Sequence, residues 1–269
     1  MLKPVLTLGL LAATALPAAQ PALALTQEEI LAARILPGFA TDDGSRMAGL
    51  AMDFAPGWKT YWRAPGDAGI PPIFDWAGSE NVQAVRLHWP RPVVFHLNGM
   101  QTVGYHDRLV LPLEVVPIDP SRPVALRLRA DMGVCKDICM PATLDLSADL
   151  TPGGGDAEIR AALADQPITG GAAGLVDVHC SIEPIRDGLR VTAHIDLPAQ
   201  GAEETVVLES GMGGVWVSEA TTTREGGRLT AVADMVPPEG APFALDRSGV
   251  VLTVIAPDRA VEIKGCPGG

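Results

Sequence analysis

Alternation of apolar and polar residues at a period of two runs through most of this 269-residue chain. Val124, Leu126, Leu128 and Ala130 are interleaved with Ala125, Arg127 and Arg129. Leu144, Leu146, Ala148 and Leu150 are interleaved with Asp145, Ser147 and Asp149, and Val85, Leu87 and Trp89 with Arg86 and His88. The segments Leu189–Leu197 and Leu229–Met235 repeat the pattern further on. Successive side chains of a strand point to opposite faces, so each run predicts a strand with one buried and one wet face. A helical period is absent inside either half, which argues against an α/β fold. The turns that many short strands need are supplied by 29 Gly and 24 Pro. Leu109–Val116 reads as a further strand, which Pro112 assigns to an edge or a bulge, because proline has no amide to donate to a ladder.

The alternation breaks once. Thr151-Pro152-Gly153-Gly154-Gly155 cannot continue a strand, and Asp156 is placed to cap a short helix through Ala164 with Ile159 and Leu163 on one face. Gly170-Gly171 then leads into new strands. The expected fold is all-β: a first β-sandwich over residues 25–150, a linker with a small helix over 151–172, and a second sandwich over 173–269. Thr26-Gln27-Glu28-Glu29 has the capping-box spacing and predicts a short helix before the first strand.

The start of the chain bears on compartment. Lys3 precedes an apolar run from Val5 to Ala19, and Ala22-Leu23-Ala24 fits a small-x-small cleavage site. Residues 1–24 therefore read as a secretory signal peptide, and the mature protein is expected to be exported and not membrane-spanning. With 20 Lys and Arg against 32 Asp and Glu, a net charge of −12, a nucleic-acid-binding surface is not expected. Disulfides persist in an exported compartment, so the four cysteines become informative.

Cys135-Lys136-Asp137-Ile138-Cys139 holds two thiols four positions apart, while Cys180 and Cys266 stand alone. Four cysteines allow three pairings, of which 135–139 with 180–266 is the simplest. Bonding the near pair requires the chain to fold back on itself, because four steps along a strand cover about 13 Å and a disulfide tolerates far less. In a chain-entropy model the near closure is worth roughly 2 kcal/mol and the far one roughly 4.6 kcal/mol. The far bond, with Cys180 on an inward register shared with Val176, Val178 and Ile182, thus has a structural purpose. The near bond stabilises little, and an exposed small-ring disulfide at a turn is of the kind that exchanges. Exchange, a turn staple and metal binding all remain open for it. Lys136 would lower a neighbouring thiol's pKa and Asp137 would raise it, so their charges decide nothing.

The segment Ala130-Asp131-Met132-Gly133-Val134-Cys135-Lys136-Asp137-Ile138-Cys139-Met140-Pro141 resembles the periplasmic N-terminal domain of the thiol:disulfide interchange protein DsbD family, and more closely its ScsB-like branch, where three residues separate the cysteines. Gly57-Trp58-Lys59-Thr60-Tyr61-Trp62-Arg63-Ala64-Pro65-Gly66-Asp67-Ala68-Gly69 is similar to that branch's aromatic strand and following turn. Trp89 to Pro112 is similar to its strand, cap-loop and strand unit. The resemblance spans roughly residues 40–150, and the second half is similar to the extra β-domain of the branch. It implies immunoglobulin-like sandwiches and a redox pair, Cys135 and Cys139, with Cys139 as the attacking sulfur. A cap loop would be Phe95 to Gln101, with Phe95, Leu97 and Met100 shielding the pair and Trp58 and Tyr61 beside it. It implies a membrane-embedded thiol reductase as electron donor, periplasmic thiol-disulfide proteins as acceptors, and no cofactor.

Other residues carry weaker signals. Met100, Met132 and Met140 near the thiols could bind Cu(I), a soft ion, which makes copper handling the alternative to exchange. A redox-inert binding module is the third reading. His88 and His194 fall on outward positions, His96 and His106 flank the expected cap, and His179 adjoins Cys180. None forms a zinc-ligand spacing, so no metal site is assigned.

Overall fold

The computed structural model describes residues 25–97, 99–238 and 243–269, and of Leu97 the backbone alone. The expected signal peptide, residues 1–24, lies outside the described residues. The chain opens with α1 (Gln27–Ile30), where the Thr26 amide donates to Glu29 Oε2 at 2.7 Å. Then come β1 (Leu31–Ala40), β2 (Arg46–Phe54), β3 (Lys59–Tyr61), β4 (Ile73–Asp75) and β5 (Val82–Leu87). They are followed by β6 (Val93–Leu97), β7 (Met100–His106), β8 (Arg108–Pro117), β9 (Ala125–Cys135) and β10 (Cys139–Asp149). Helix α2 (Asp156–Ala164) leads to β11 (Ile168–Thr169), β12 (Asp177–Ile185), β13 (Gly188–Asp196), β14 (Thr205–Glu209) and β15 (Trp216–Val217). The last strands are β16 (Thr221–Glu225), β17 (Arg228–Val236), β18 (Val251–Ile255) and β19 (Ala260–Lys264).

Two β-sandwiches result. In the first, the sheet β1-β2-β8-β5 faces the sheet β10-β9-β3-β7-β6, with β4 also on β9. In the second, β11-β19-β18-β14 faces β12-β13-β17-β15, with β16 also on β17. The alternating registers fill the two interiors: Leu126, Leu128, Ala130, Met132 and Val134 of β9 enter the first core, and Val191, Ala193 and Ile195 of β13 the second.

The structure corrects three local expectations. Pro112 lies within β8, an inner strand between β2 and β5. It is tolerated there because β5 pairs only as far as Leu87 with Leu113. The Pro112 carbonyl accepts the His88 amide just past that end, so the amide that proline lacks costs only the last rung of this ladder. Helix α2 spans the expected residues, but Gly155 rather than Asp156 occupies its N-cap position. Gly155 has φ 82°, and a Cβ there would fall 2.7 Å from Leu36 Cβ, so both backbone conformation and space require glycine. Val176 is 82% exposed and does not share the inward register of Cys180, because β12 begins only at Asp177.

Helix α2 is not a free linker element. Ile159 packs with Leu36, Met47 and Ala51 on the outer surface of the first sandwich. This explains why β2 is buried on both faces despite belonging to an antiparallel sheet. Cys180 on β12 and Cys266 after β19 are bonded with a Cα–Cα distance of 5.5 Å, and both are buried in the second core. Their bond joins the two sheets of that sandwich.

Candidate functional site

Strands β9 and β10 form a hairpin whose register ends with Cys135 directly opposite Cys139. The two are bonded, with Cα atoms 4.1 Å apart, across the three-residue turn Lys136-Asp137-Ile138. Cross-strand partners share a face, and faces alternate along a strand. Val134 and Met132 point into the core, so Gly133 and Cys135 point outward. The disulfide therefore stands on the outer face of its sheet, away from the hydrophobic core.

The same registers place its neighbours. Lys59 of β3 pairs with Cys135 on one side and with His106 of β7 on the other. Tyr61 shares their face and pairs with Gly104. On β6, Phe95 pairs with Thr102, again on this face, and the backbone of Leu97 pairs with Met100. The expected cap loop is thus a β6–β7 hairpin continuing the disulfide's own sheet.

Cys135 is only 2% exposed although it faces outward, whereas Cys139 is exposed. Tyr61 makes the difference. Its hydroxyl donates to Cys135 Sγ at 3.2 Å and lies 3.6 Å from Cys139 Sγ. Burial pushes the Tyr61 phenol above its ordinary pKa, so it remains a donor through the neutral range. Gly133 makes room for the ring: a Cβ there would lie 3.3 Å from Tyr61 Cε2 and 3.1 Å from Ile70 Cδ1. Ile70, in the loop joining β3 to β4, covers this spot.

Lys59 links the hairpin to the disulfide's neighbours. Its ammonium donates to Thr102 Oγ1 at 3.0 Å and stands 4.4 Å from the centre of the Phe95 ring and 6.0 Å from that of Tyr61. Burial lowers its pKa. The Phe95 ring also meets His106 edge-on, with centroids 5.7 Å apart. Lys136 turns its ammonium to the Pro56 carbonyl, 3.3 Å away.

Of the residues singled out in the sequence, Cys135, Cys139 and Tyr61 are brought into contact. Phe95 stands on the same face but packs on Lys59 and His106, and Met100 is half exposed. The Leu97 side chain and Asn98 lie outside the described residues. Trp58 is not brought to the pair, because its register turns it into the core with Tyr105 and Val103. Met132 is likewise buried in the core and Met140 packs against it, so neither thioether joins the thiols on the outer face. Among the described residues, no group of three His, Cys, Asp or Glu is arranged to hold a metal. Lys59, Ile70 and Gly133 were not singled out. Period two from Tyr61 leads to Lys59, but nothing local marks Ile70.

The site is thus a surface disulfide on a two-sandwich protein, one sulfur sheltered by a phenol and the other open. Residues 27–151, which include the whole first sandwich, match the family model described as "Thiol:disulfide interchange protein DsbD, N-terminal". The match does not extend over the second sandwich. Among solved structures, the N-terminal periplasmic domain of ScsB from Proteus mirabilis aligns with a TM-score of 0.70, covering 92% of this chain and 97% of that one at 21% identity. That likeness establishes the shared two-sandwich fold. No curated protein matches the chain. Among the described residues, no helix is long and apolar enough to cross a membrane.

Proposed function

We propose that this protein is an exported thiol-disulfide exchange protein that relays reducing equivalents through Cys135 and Cys139. The carrying observation is the asymmetry of the pair: Cys139 is open to a partner, while Cys135 is sheltered with the Tyr61 hydroxyl on its sulfur. A partner thiolate attacks Cys139 Sγ in line with the Cys135–Cys139 bond. That bond breaks, a mixed disulfide forms, and Cys135 leaves as a thiolate stabilised by the Tyr61 hydroxyl. The partner's second thiolate then attacks the mixed disulfide at its own sulfur and releases Cys139. The partner is oxidised to a disulfide, and the pair here has gained two electrons and two protons. The reduced pair repeats the steps in reverse on an oxidised substrate, with Cys139 attacking.

The family-model match over residues 27–151 supports this reading, and the reading supplies the rest: a membrane-embedded thiol reductase as donor, periplasmic disulfide proteins as acceptors, and residues 1–24 as the export signal. Cys180–Cys266 acts as the structural bond, enclosed by the second core. Copper handling is disfavoured as the alternative because Met132 and Met140 face the core.

The test is trapping. Cys135→Ser leaves Cys139 with no resolving partner and should accumulate a disulfide-linked adduct at Cys139 in the exported compartment, identified by mass spectrometry. Cys139→Ser should trap far less. Absence of adducts from both variants, with a wild-type bond that no thioredoxin-like protein reduces, would refute the relay.

A further inference from the structure

Tyr61 shelters Cys135, and Ile70, on the loop after β3, stands over Gly133 beside the Tyr61 ring. The loop's far side, at Asp67, Gly69 and Pro71, borders a cleft of about 480 Å³ between the two sandwiches. The first sandwich holds the loop's start, where the Val103 amide donates to the Pro65 carbonyl at 3.0 Å, and the second sandwich adds side-chain ties. Arg63, at its start, donates through Nε and Nη2 to the Glu209 carboxylate at 3.0 and 2.9 Å, and through Nη2 to Glu262 at 2.8 Å. The same guanidinium lies 4.3 Å from the centre of the buried Trp62 ring, next in sequence to Tyr61. Further along, Asp67 Oδ1 accepts the Glu219 amide at 2.8 Å. On the hairpin side, Thr205 Oγ1 donates to Gln101 Oε1 at 3.5 Å.

These ties sit in a closed interface. Thr253 is on the outward row Val207–Thr253–Glu262 of its sheet, yet it is 0% exposed because the first sandwich covers it. Ile255 belongs to the first sandwich's hydrophobic cluster, and Val207 packs against it. Burial opposes the charge of Arg63, but the bonds to Glu209 and Glu262 outweigh it and hold its pKa above the ordinary value.

We propose that the second sandwich keeps the cover of Cys135 closed, with Arg63 as the positioning residue that transmits its grip to the Ala64–Pro72 loop and so to Ile70 and Tyr61. The proposal rests on the exchange role of the Cys135–Cys139 pair and assigns the second sandwich a part in that site: it controls how far the sheltered thiol is exposed between encounters with partners.

The experiment is site-resolved alkylation of the full chain after reduction of the 135–139 bond. It is run with iodoacetamide at pH 9.5, where an ordinary thiol is largely ionised. Arg63→Gln is compared with the double variant Glu209→Gln/Glu262→Gln, whose changes lie in the second sandwich and touch neither cysteine. Ile70→Ala, which removes the loop's contact over Gly133 beside the Tyr61 ring, is the reference for loosening the loop itself. Cys135 should be modified about two to thirty times faster in both ion-triad variants, the range expected for loss of one such coupling. Cys139, already exposed, should keep its wild-type rate and serves as the internal reference. In the oxidised variants, amide exchange should quicken across residues 64–72 and not in β9. Wild-type Cys135 rates and unchanged loop exchange in both variants would overturn the proposal. No redox partner is present, so this result is independent of trapping: a failed relay would leave the alkylation difference intact, and a failed alkylation difference would leave the relay intact.

Discussion

At the scale of single residues, one hydrogen bond distinguishes the two sulfurs. The Tyr61 hydroxyl reaches Cys135 Sγ from an adjacent strand, and in the reduced state the same donor would stabilise a Cys135 thiolate. Hydrogen bonds to charged groups are worth about 1.5–3 kcal/mol, or roughly one to two pKa units. Tyr61→Phe keeps the ring and its packing but removes the donor. The Cys135 thiol should then titrate about one unit higher or more, read from thiolate absorbance near 240 nm, and reduction of the bond by a given thiol should slow. An unchanged titration would show that the phenol contributes packing alone.

At the scale of elements, charges bind β1, β2, β8 and α2 into one outer layer. Asp53 on β2 accepts from Arg34 of β1 at 2.9 Å and from Arg108 of β8, and Arg108 also pairs with Glu158 of α2. Burial works against the Asp53 charge, but Arg34 and Arg108 outweigh it and hold the carboxyl below its usual range. A depressed carboxyl stabilises the fold above its unfolded-state pKa and loses that contribution as pH falls through the folded value. All three side chains on Asp53's side of the network are more than a third exposed, so the gain is that of a surface pair, about 0.5 kcal/mol. Asp53→Asn should lower the urea midpoint slightly at pH 7. The difference from wild type should vanish as pH drops below the ordinary aspartate range, and a difference that persisted in acid would assign the effect to packing instead.

At the scale of the whole molecule, the two disulfides divide by location. Cys180–Cys266 crosses the second core between its sheets and closes a long segment, whereas Cys135–Cys139 closes a hairpin on an outer face. Replacing Cys180 and Cys266 together with Ala should cost about 2–5 kcal/mol of stability, measured by denaturant unfolding. Below the unfolding transition, the 135–139 bond should still be reducible. The mirror experiment, Cys135→Ala with Cys139→Ala, should cost far less because a five-residue closure removes little chain entropy. Equal costs for the two pairs would mean that the hairpin bond is also structural.

Local chemistry was enough to read part of this molecule from its chain. Period-two alternation in Val124–Ala130 and Leu189–Leu197 depends only on each strand having one buried face, so these strands lie where the pattern puts them. The reach of a disulfide forces residues 135–139 into a hairpin, and the proline and glycine run after Leu150 ends the first set of strands. Pro112 misled because an edge is only one way to spare a missing amide; a neighbouring strand that stops short is another. Trp58 misled because nearness in sequence to Tyr61 says nothing about the face, which parity within the sheet decides. The tertiary structure alone settled which groups meet across long stretches of chain. Tyr61 meets Cys135 because β3 lies beside β9, α2 buries the outer face of β2, and Arg63 finds Glu209 and Glu262 on the other sandwich. Each of those encounters rests on the register and docking of elements far apart in sequence, which no local pattern of residue types encodes.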